Sequence, residues 1–136
     1  MISSHVTSLE TSKRLKELGV SKDTPYYFYW AKSNYSGEYI LLSQAEQILQ
    51  EQKEFADEPG SKGVSDRIPA YLANELGELL PYVVNDLYLT ITKFPGGWRC
   101  GYNSYETPMF GRSSPFLAEA MGKTLGDLIE DKLITL

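Results

Sequence analysis

Catalytic and metal-binding side chains are scarce in this chain. Cys100 is its only cysteine and His5 its only histidine. A single cysteine excludes an intrachain disulfide, and nothing points to an oxidising compartment. A Cys–His or Ser–His–Asp catalytic unit would need His5, which lies close to the N-terminus. No Cys or His cluster has the spacing of a zinc site, and Asp57, Glu58 and Asp66 do not match a calcium loop. Pro95-Gly96-Gly97 joins two strand-like runs and does not open a helix, so it serves a turn and not a phosphate cradle. Glu75 and Glu78, three apart on one predicted helix, read as surface carboxylates. No run approaches the apolar length of a membrane span. Met1 to His5 leads into a charged helix without a signal-peptide core. These absences predict a soluble cytoplasmic protein with no cofactor and no membrane contact.

The chain has 136 residues, which predicts a single domain spanning 1–136. At that length roughly two thirds of the unfolded surface can be buried without a metal or disulfide staple. The net charge of −5 is concentrated. Residues 44–86 carry nine acidic and three basic groups, whereas residues 87–136 carry five of each. An acidic chain repels phosphate backbones, so nucleic acid is an unfavoured partner. The acidic middle third is read as a solvated surface, with docking on a basic partner as the alternative.

Thr7-Ser8-Leu9-Glu10 has a capping-box pattern and opens a helix over about residues 8–18, which Gly19 ends. Thr24-Pro25-Tyr26-Tyr27-Phe28-Tyr29-Trp30 then reads as a strand, because Pro25 disfavours helix and five aromatics follow. A turn at Ser33–Gly37 and a strand from Glu38 to Leu42 complete a hairpin. Ser43 to Glu46 begins a second helix carrying Ile48, Leu49 and Phe55, and Asp57 to Gly63 is a loop. Ile68 to Leu80 has helical spacing of leucines, with Pro69 suited to a first helical position and Pro81 as the stop. Leu87 to Phe94 alternates Leu87, Leu89 and Ile91 against Tyr88, Thr90 and Thr92, and Trp98 to Tyr102 returns beside it. Asn103 to Ser113, with Pro108 and Gly111, reads as a loop. Ser114-Pro115 then starts a last helix with a broad apolar stripe. Gly122 and Gly126, four apart on that helix, read as a close-packing surface.

The fold class is therefore α+β, with the order α-β-β-α-α-β-β-α. Two antiparallel hairpins are expected in one sheet with helices on the Leu87, Leu89, Ile91 face. In the aromatic run, alternate side chains share a face. Tyr26, Phe28 and Trp30 are placed inward, and Tyr27 and Tyr29 outward beside Tyr88. A one-residue slip would exchange the two sets. The candidate binding residues are Tyr27, Tyr29, Tyr88, Thr90 and Arg99, since tyrosine combines a rigid apolar body with a polar tip. The competing possibility is that the second helix or a long loop covers this face. Arg67, Arg99 and Arg112 are the candidates for holding an anion. Both first helices contain Glu-Leu-Gly, at 17–19 and 75–77, which leaves a degenerate internal repeat conceivable.

Four blocks resemble short proteins of tailed phages, prophages and mobile elements to which no activity is attached. They are Thr7–Val20, Phe28-Tyr29-Trp30, Ile68–Pro81 with its Glu-Leu-Gly-Glu-Leu-Leu-Pro, and Ala118–Ile134. Where Gly122 and Gly126 stand, the family would carry an alanine and a bulkier residue. The resemblance implies a phage- or prophage-type accessory protein acting in the bacterial cytoplasm. The reading favoured here is macromolecular binding, with a protein partner, through the tyrosine face or the acidic surface. The alternative is a small-ligand binder or small enzyme acting on a nucleotide or metabolite, with its pocket beside the 57–67 or 103–113 loop.

Overall fold

The computed structural model describes residues 4–21, 28–34, 36–43, 64–104 and 108–135. The helix expected from Ser43, the loop at 57–63 and Tyr27 lie outside the described residues. Helix α1 runs Leu9–Glu17. Its N-cap is Ser8, whose hydroxyl oxygen accepts the Thr11 N–H at 3.2 Å. The reciprocal carboxylate of the expected capping box comes from elsewhere: the Ser8 N–H donates to Glu119 Oε1 at 3.0 Å, not to Glu10. One helix start is thereby fixed by another helix. At the other end Gly19 takes φ +92°, and the Val20 N–H returns to the Leu15 carbonyl at 2.9 Å.

The α+β class and the helix–hairpin order are as the sequence indicates. The two hairpins, however, lie in two sheets and not in one. The first sheet has the order β2-β1-β3, built from β1 Phe28–Ser33, β2 Tyr39–Ser43 and β3 Val64–Ala70. All its pairs are antiparallel, with Trp30 between Leu41 and Ile68. β3 replaces the expected first turn of a helix. Pro69 sits in it opposite Tyr29, on an edge strand, where a missing N–H leaves no central ladder broken. Helix α2 starts later, at Ala73, and runs to Leu79. The Leu72 N–H donates to Glu75 Oε1 at 2.9 Å, so Glu75 serves the helix start.

The second sheet has the order β4-β5-β6-β7, with β4 Val83–Val84, β5 Leu87–Phe94, β6 Gly97–Asn103 and β7 Pro108–Ser114. β7 takes the place of the expected 103–113 loop. Pro108 is its first residue and it lies on the sheet edge, both positions that tolerate proline. β4 was also unforeseen. It turns into β5 through Asn85 and Asp86, both at positive φ (48° and 66°), the conformation a two-residue hairpin loop requires.

Helix α3, Leu117–Glu130, lies across β6 and β7. With α1, α2 and the inner face of the second sheet it closes the main core, which includes Leu15, Leu76, Cys100, Tyr102, Leu125 and Leu128. The Thr124 hydroxyl donates to the Cys100 and Ala120 carbonyls at 3.0 and 2.9 Å, tying helix to strand. The glycine pair acts as the sequence indicates. A Cβ on Gly122 would stand 2.7 Å from Thr7 Cγ2, and one on Gly126 would stand 2.9 Å from Arg14 Nη1. The guanidinium can swing aside, but the threonine methyls at Gly122 sit on stiff β-branched side chains, so Gly122 is the position that lets α1 approach α3 this closely.

The segment before α1 ties the first sheet to the chain that leads into α2. Val6 forms a bridge with Leu72, and the Thr7 N–H donates to the Tyr71 carbonyl at 3.0 Å. Thr7 Oγ1 accepts the Tyr71 N–H at 3.0 Å, and the Thr7 carbonyl accepts the Trp30 indole N–H at 3.0 Å.

Candidate binding face

The expected parity of the aromatic strand is reversed. Tyr29 is 0% exposed and clusters with Ala31, Ile40 and Leu42, while Phe28 and Trp30 are half-buried on the other side. That other side also carries the buried Ile68 and Ala70, so the first sheet is interior on both faces. Tyr29 therefore belongs to no surface site.

Tyr88, Thr90 and Arg99 do come together, on the second sheet. Leu87 and Leu89 of β5 turn toward the main core, which sends Tyr88, Thr90 and Thr92 outward. Across the ladder these three stand opposite Asn103, Gly101 and Arg99 of β6. Directly opposed residues share a face, so the six form one strip. The inner side of the sheet carries α3. The outer strip leaves Tyr88 47% exposed and its neighbour Tyr82 73% exposed. Their rings meet edge to face, with centroids 5.7 Å apart at 72°. Beside them opens a cleft of about 500 Å³ lined by Tyr82, Tyr88, Thr90, Asn103 and Ser104. Among the described residues no carboxylate, amine, imidazole or guanidinium lines it. The Thr90 hydroxyl donates to the Tyr88 carbonyl at 3.2 Å. Asn103 Oδ1 is buried, and among the described residues nothing donates to it.

Further along the strip the floor is bare. Gly101 and Gly111 stand opposite each other across β6 and β7. A Cβ on Gly101 would lie 2.2 Å from the Phe110 carbonyl oxygen, and one on Gly111 would lie 2.6 Å from that of Cys100. The strands approach too closely for side chains there. The Arg99 guanidinium reaches over this gap, its Nη2 3.3 Å from where the Gly111 Cβ would be. Among the described residues Arg99 forms no ion pair.

The other two candidate arginines differ. Arg67 is exposed on β3, where its carbonyl accepts from Lys16 Nζ at 3.3 Å. Arg112 is taken up by Asp127, through Nε at 2.6 Å and Nη2 at 3.1 Å. Arg14 joins the same carboxylate from α1 at 2.8 Å and also contacts Glu130. Burial pushes the Asp127 carboxyl up, but hydrogen bonds from Arg112 and Arg14 outweigh it and hold it below its ordinary 3.8. This cluster walls a second cleft, of about 560 Å³, in which Glu10, Glu17 and Glu119 face Lys13, Arg14 and Lys123. Of these groups, Arg14 is paired with Asp127 and Glu130, and Glu119 accepts the Ser8 N–H.

The Cys100 thiol is fully buried, and burial raises its pKa, so it is no nucleophile. His5 is exposed. The Tyr102 phenol is pushed up to about 12 by burial, and its hydroxyl donates to the Pro81 carbonyl at 2.6 Å. Among the described residues no three His, Cys, Asp or Glu side chains gather as metal ligands, and no helix is long and apolar enough to cross a membrane.

Sequence reasoning missed Tyr82 and Asn103. Tyr82 was legible in principle. Asn85-Asp86 between two apolar runs is a two-residue hairpin turn, and that hairpin brings Tyr82 beside β5. Asn103 was hidden because it stood at the start of an assumed loop. Comparison of the chain with protein-family models, with curated proteins and with solved structures returned no match.

Proposed function

We propose that this protein works by binding, in the bacterial cytoplasm, as an accessory protein of the phage or mobile-element type its sequence resembles. Its working surface is the outer face of the four-stranded sheet, and its partner is another macromolecule. The observation supporting this is the asymmetry of that sheet. α3 covers the inner face, while the outer face carries two largely exposed tyrosine rings locked edge to face. Exposed aromatic pairs of this kind are rich in contact area and poor in conformational entropy, which suits recognition. The test is capture of partners from bacterial lysate, by wild type and by a Tyr82→Ala, Tyr88→Ala, Arg99→Gln triple variant that keeps the wild-type melting temperature. Loss of the captured partner in the variant supports the reading. Equal capture by both, or none by either, counts against it.

A second reading, binding of a small ligand on the same face, is favoured by two specific observations. Asn103 lines the cleft beside the tyrosines, and among the described residues nothing donates to its buried carboxamide oxygen. The strip also ends in Arg99, which forms no ion pair among the described residues. Both are groups that a ligand would satisfy.

A further inference from the structure

Three kinds of chemistry are spaced along the outer face of the second sheet. At one end is a flat apolar platform, the exposed Tyr82 ring braced by Tyr88. In the wall of the adjoining cleft is Asn103, whose buried Oδ1 accepts no hydrogen bond among the described residues. At the other end is the Arg99 guanidinium, poised over the Gly101–Gly111 gap. Arg99 and Asn103 are four residues apart on β6, hence about 13 Å along one face. Between their Cα positions lies the glycine floor, with Thr90 alongside, and the Arg99 guanidinium leans back over Gly111, level with Gly101 and two residues nearer Asn103.

A ligand that answers all three has a planar ring with N–H donors at one end, a compact polar middle, and one anionic group at the other. A nucleoside monophosphate has this order of groups and fits within that span. Its base stacks on a tyrosine ring, as bases do on aromatic platforms. Every nucleobase offers at least one N–H to an acceptor such as Asn103 Oδ1. Its ribose spans from the cleft toward the glycine floor, where no Cβ crowds the backbone. Its phosphate meets Arg99, whose fork of N–H donors suits phosphate oxygens. A single cation accommodates a single phosphate. The net charge of −5 opposes a polyanionic strand far more than a mononucleotide.

We propose that the outer face of the four-stranded sheet is a mononucleotide-binding site, with Tyr82 and Tyr88 holding the base, Asn103 its donor edge and Arg99 the phosphate. This rests on the small-ligand reading of that face. The experiment is an amide NMR titration of the full chain with AMP, GMP, CMP and UMP, with adenosine, inorganic phosphate and a ten-nucleotide single strand as controls. At least one mononucleotide should give saturable shifts in the backbone of Tyr82, Tyr88–Thr92 and Arg99–Asn103. The matching nucleoside should bind roughly tenfold more weakly, the share of a charge-assisted pair, and phosphate alone should not saturate. Arg99→Gln should bring the nucleotide down to nucleoside affinity, and Tyr82→Ala should weaken both. Saturable shifts elsewhere, an Arg99→Gln variant with full nucleotide affinity, or a strand binding tighter than its monomer would overturn the proposal. No saturation with any mononucleotide overturns the ligand class. The lysate capture then separates the remaining cases: capture lost in the triple variant leaves the face in place with a macromolecular occupant, and capture retained removes the face as well.

Discussion

The two sheets of this protein give the same residue type opposite fates. Tyr29 in the three-stranded sheet is 0% exposed, whereas Tyr88 in the four-stranded sheet is 47% exposed and Tyr82, just before that sheet's first strand, 73%. All three lie in or beside a strand with apolar residues on both sides. What differs is coverage. The first sheet is interior on both faces, with Tyr29 and Ala31 on one side and Ile68 and Ala70 on the other. The second has α3 on one face only. A tyrosine contributes to stability or to recognition according to what lies over it, and its sequence neighbours say little about which.

The largest test of that contrast is Tyr29→Ala. Removing a fully buried ring from the Ala31, Ile40, Leu42 cluster should cost about 3–5 kcal/mol, read as a lower urea midpoint. A cost below about 1 kcal/mol would show that this face is not interior. Next comes the joint between the two regions. Gly122→Ala places a methyl 2.7 Å from Thr7 Cγ2 and 2.9 Å from Thr11 Cγ2, both stiff β-branched side chains. Overpacking should outweigh the helix-propensity gain and destabilise by about 1–2 kcal/mol. A melting temperature at or above wild type would mean that α1 can step back without loss.

The charged cluster on α3 comes third. Asp127→Asn leaves Arg14 and Arg112 facing each other without their shared carboxylate, at a cost of about 1–2 kcal/mol near neutral pH. The pH dependence has a definite sign. The native pKa of Asp127 lies below its ordinary 3.8, so the unfolded state binds the proton more readily. The stability it contributes is fully present above the ordinary carboxylate range and is lost as pH falls through the lowered native value. Unfolding free energy measured from about pH 6 down to pH 3 should fall less steeply in the variant than in wild type. Parallel curves would remove Asp127 as the source. The smallest expected effect is Tyr82→Ala, below about 0.5 kcal/mol in urea, because an exposed ring loses little contact with the fold. A large loss would make Tyr82 a structural residue and weaken its assignment to the binding face.

Much of the local structure was written in the sequence. The strict alternation from Leu87 to Phe94 marks β5 from end to end, since period two is the signature of a strand with one covered face. Gly19 marks the end of α1, and Ser33 to Gly37 marks the first turn. The same Glu-Leu-Gly tripeptide misleads when read as a repeat. Gly19 ends a helix at positive φ, while Gly77 lies within α2, where a Cβ would meet Met121 Cε at 3.7 Å. β3 and β7 were not legible because Pro69, Pro108 and Gly111 are breakers by local rules. An edge strand tolerates a missing donor, and a glycine pair tolerates close strands, but edge position is a property of the assembled sheet. Of the candidate site, Tyr88, Thr90 and Arg99 were found because register follows from a clear hairpin. Tyr29 was misplaced because its parity depends on what packs over each face.

The sequence by itself determined the period-two and helical segments, the turns between them, and the exclusion of any disulfide by a lone cysteine. Only the tertiary structure decided that the hairpins occupy two sheets, that Glu119 completes the start of α1, and which sheet face stays open. Hydrogen-bonding period and turn conformation are set within a few residues, so they are readable locally. Coverage of a face is set by partners far along the chain. Ser8 and Glu119 are 111 residues apart, and no local pattern encodes that meeting.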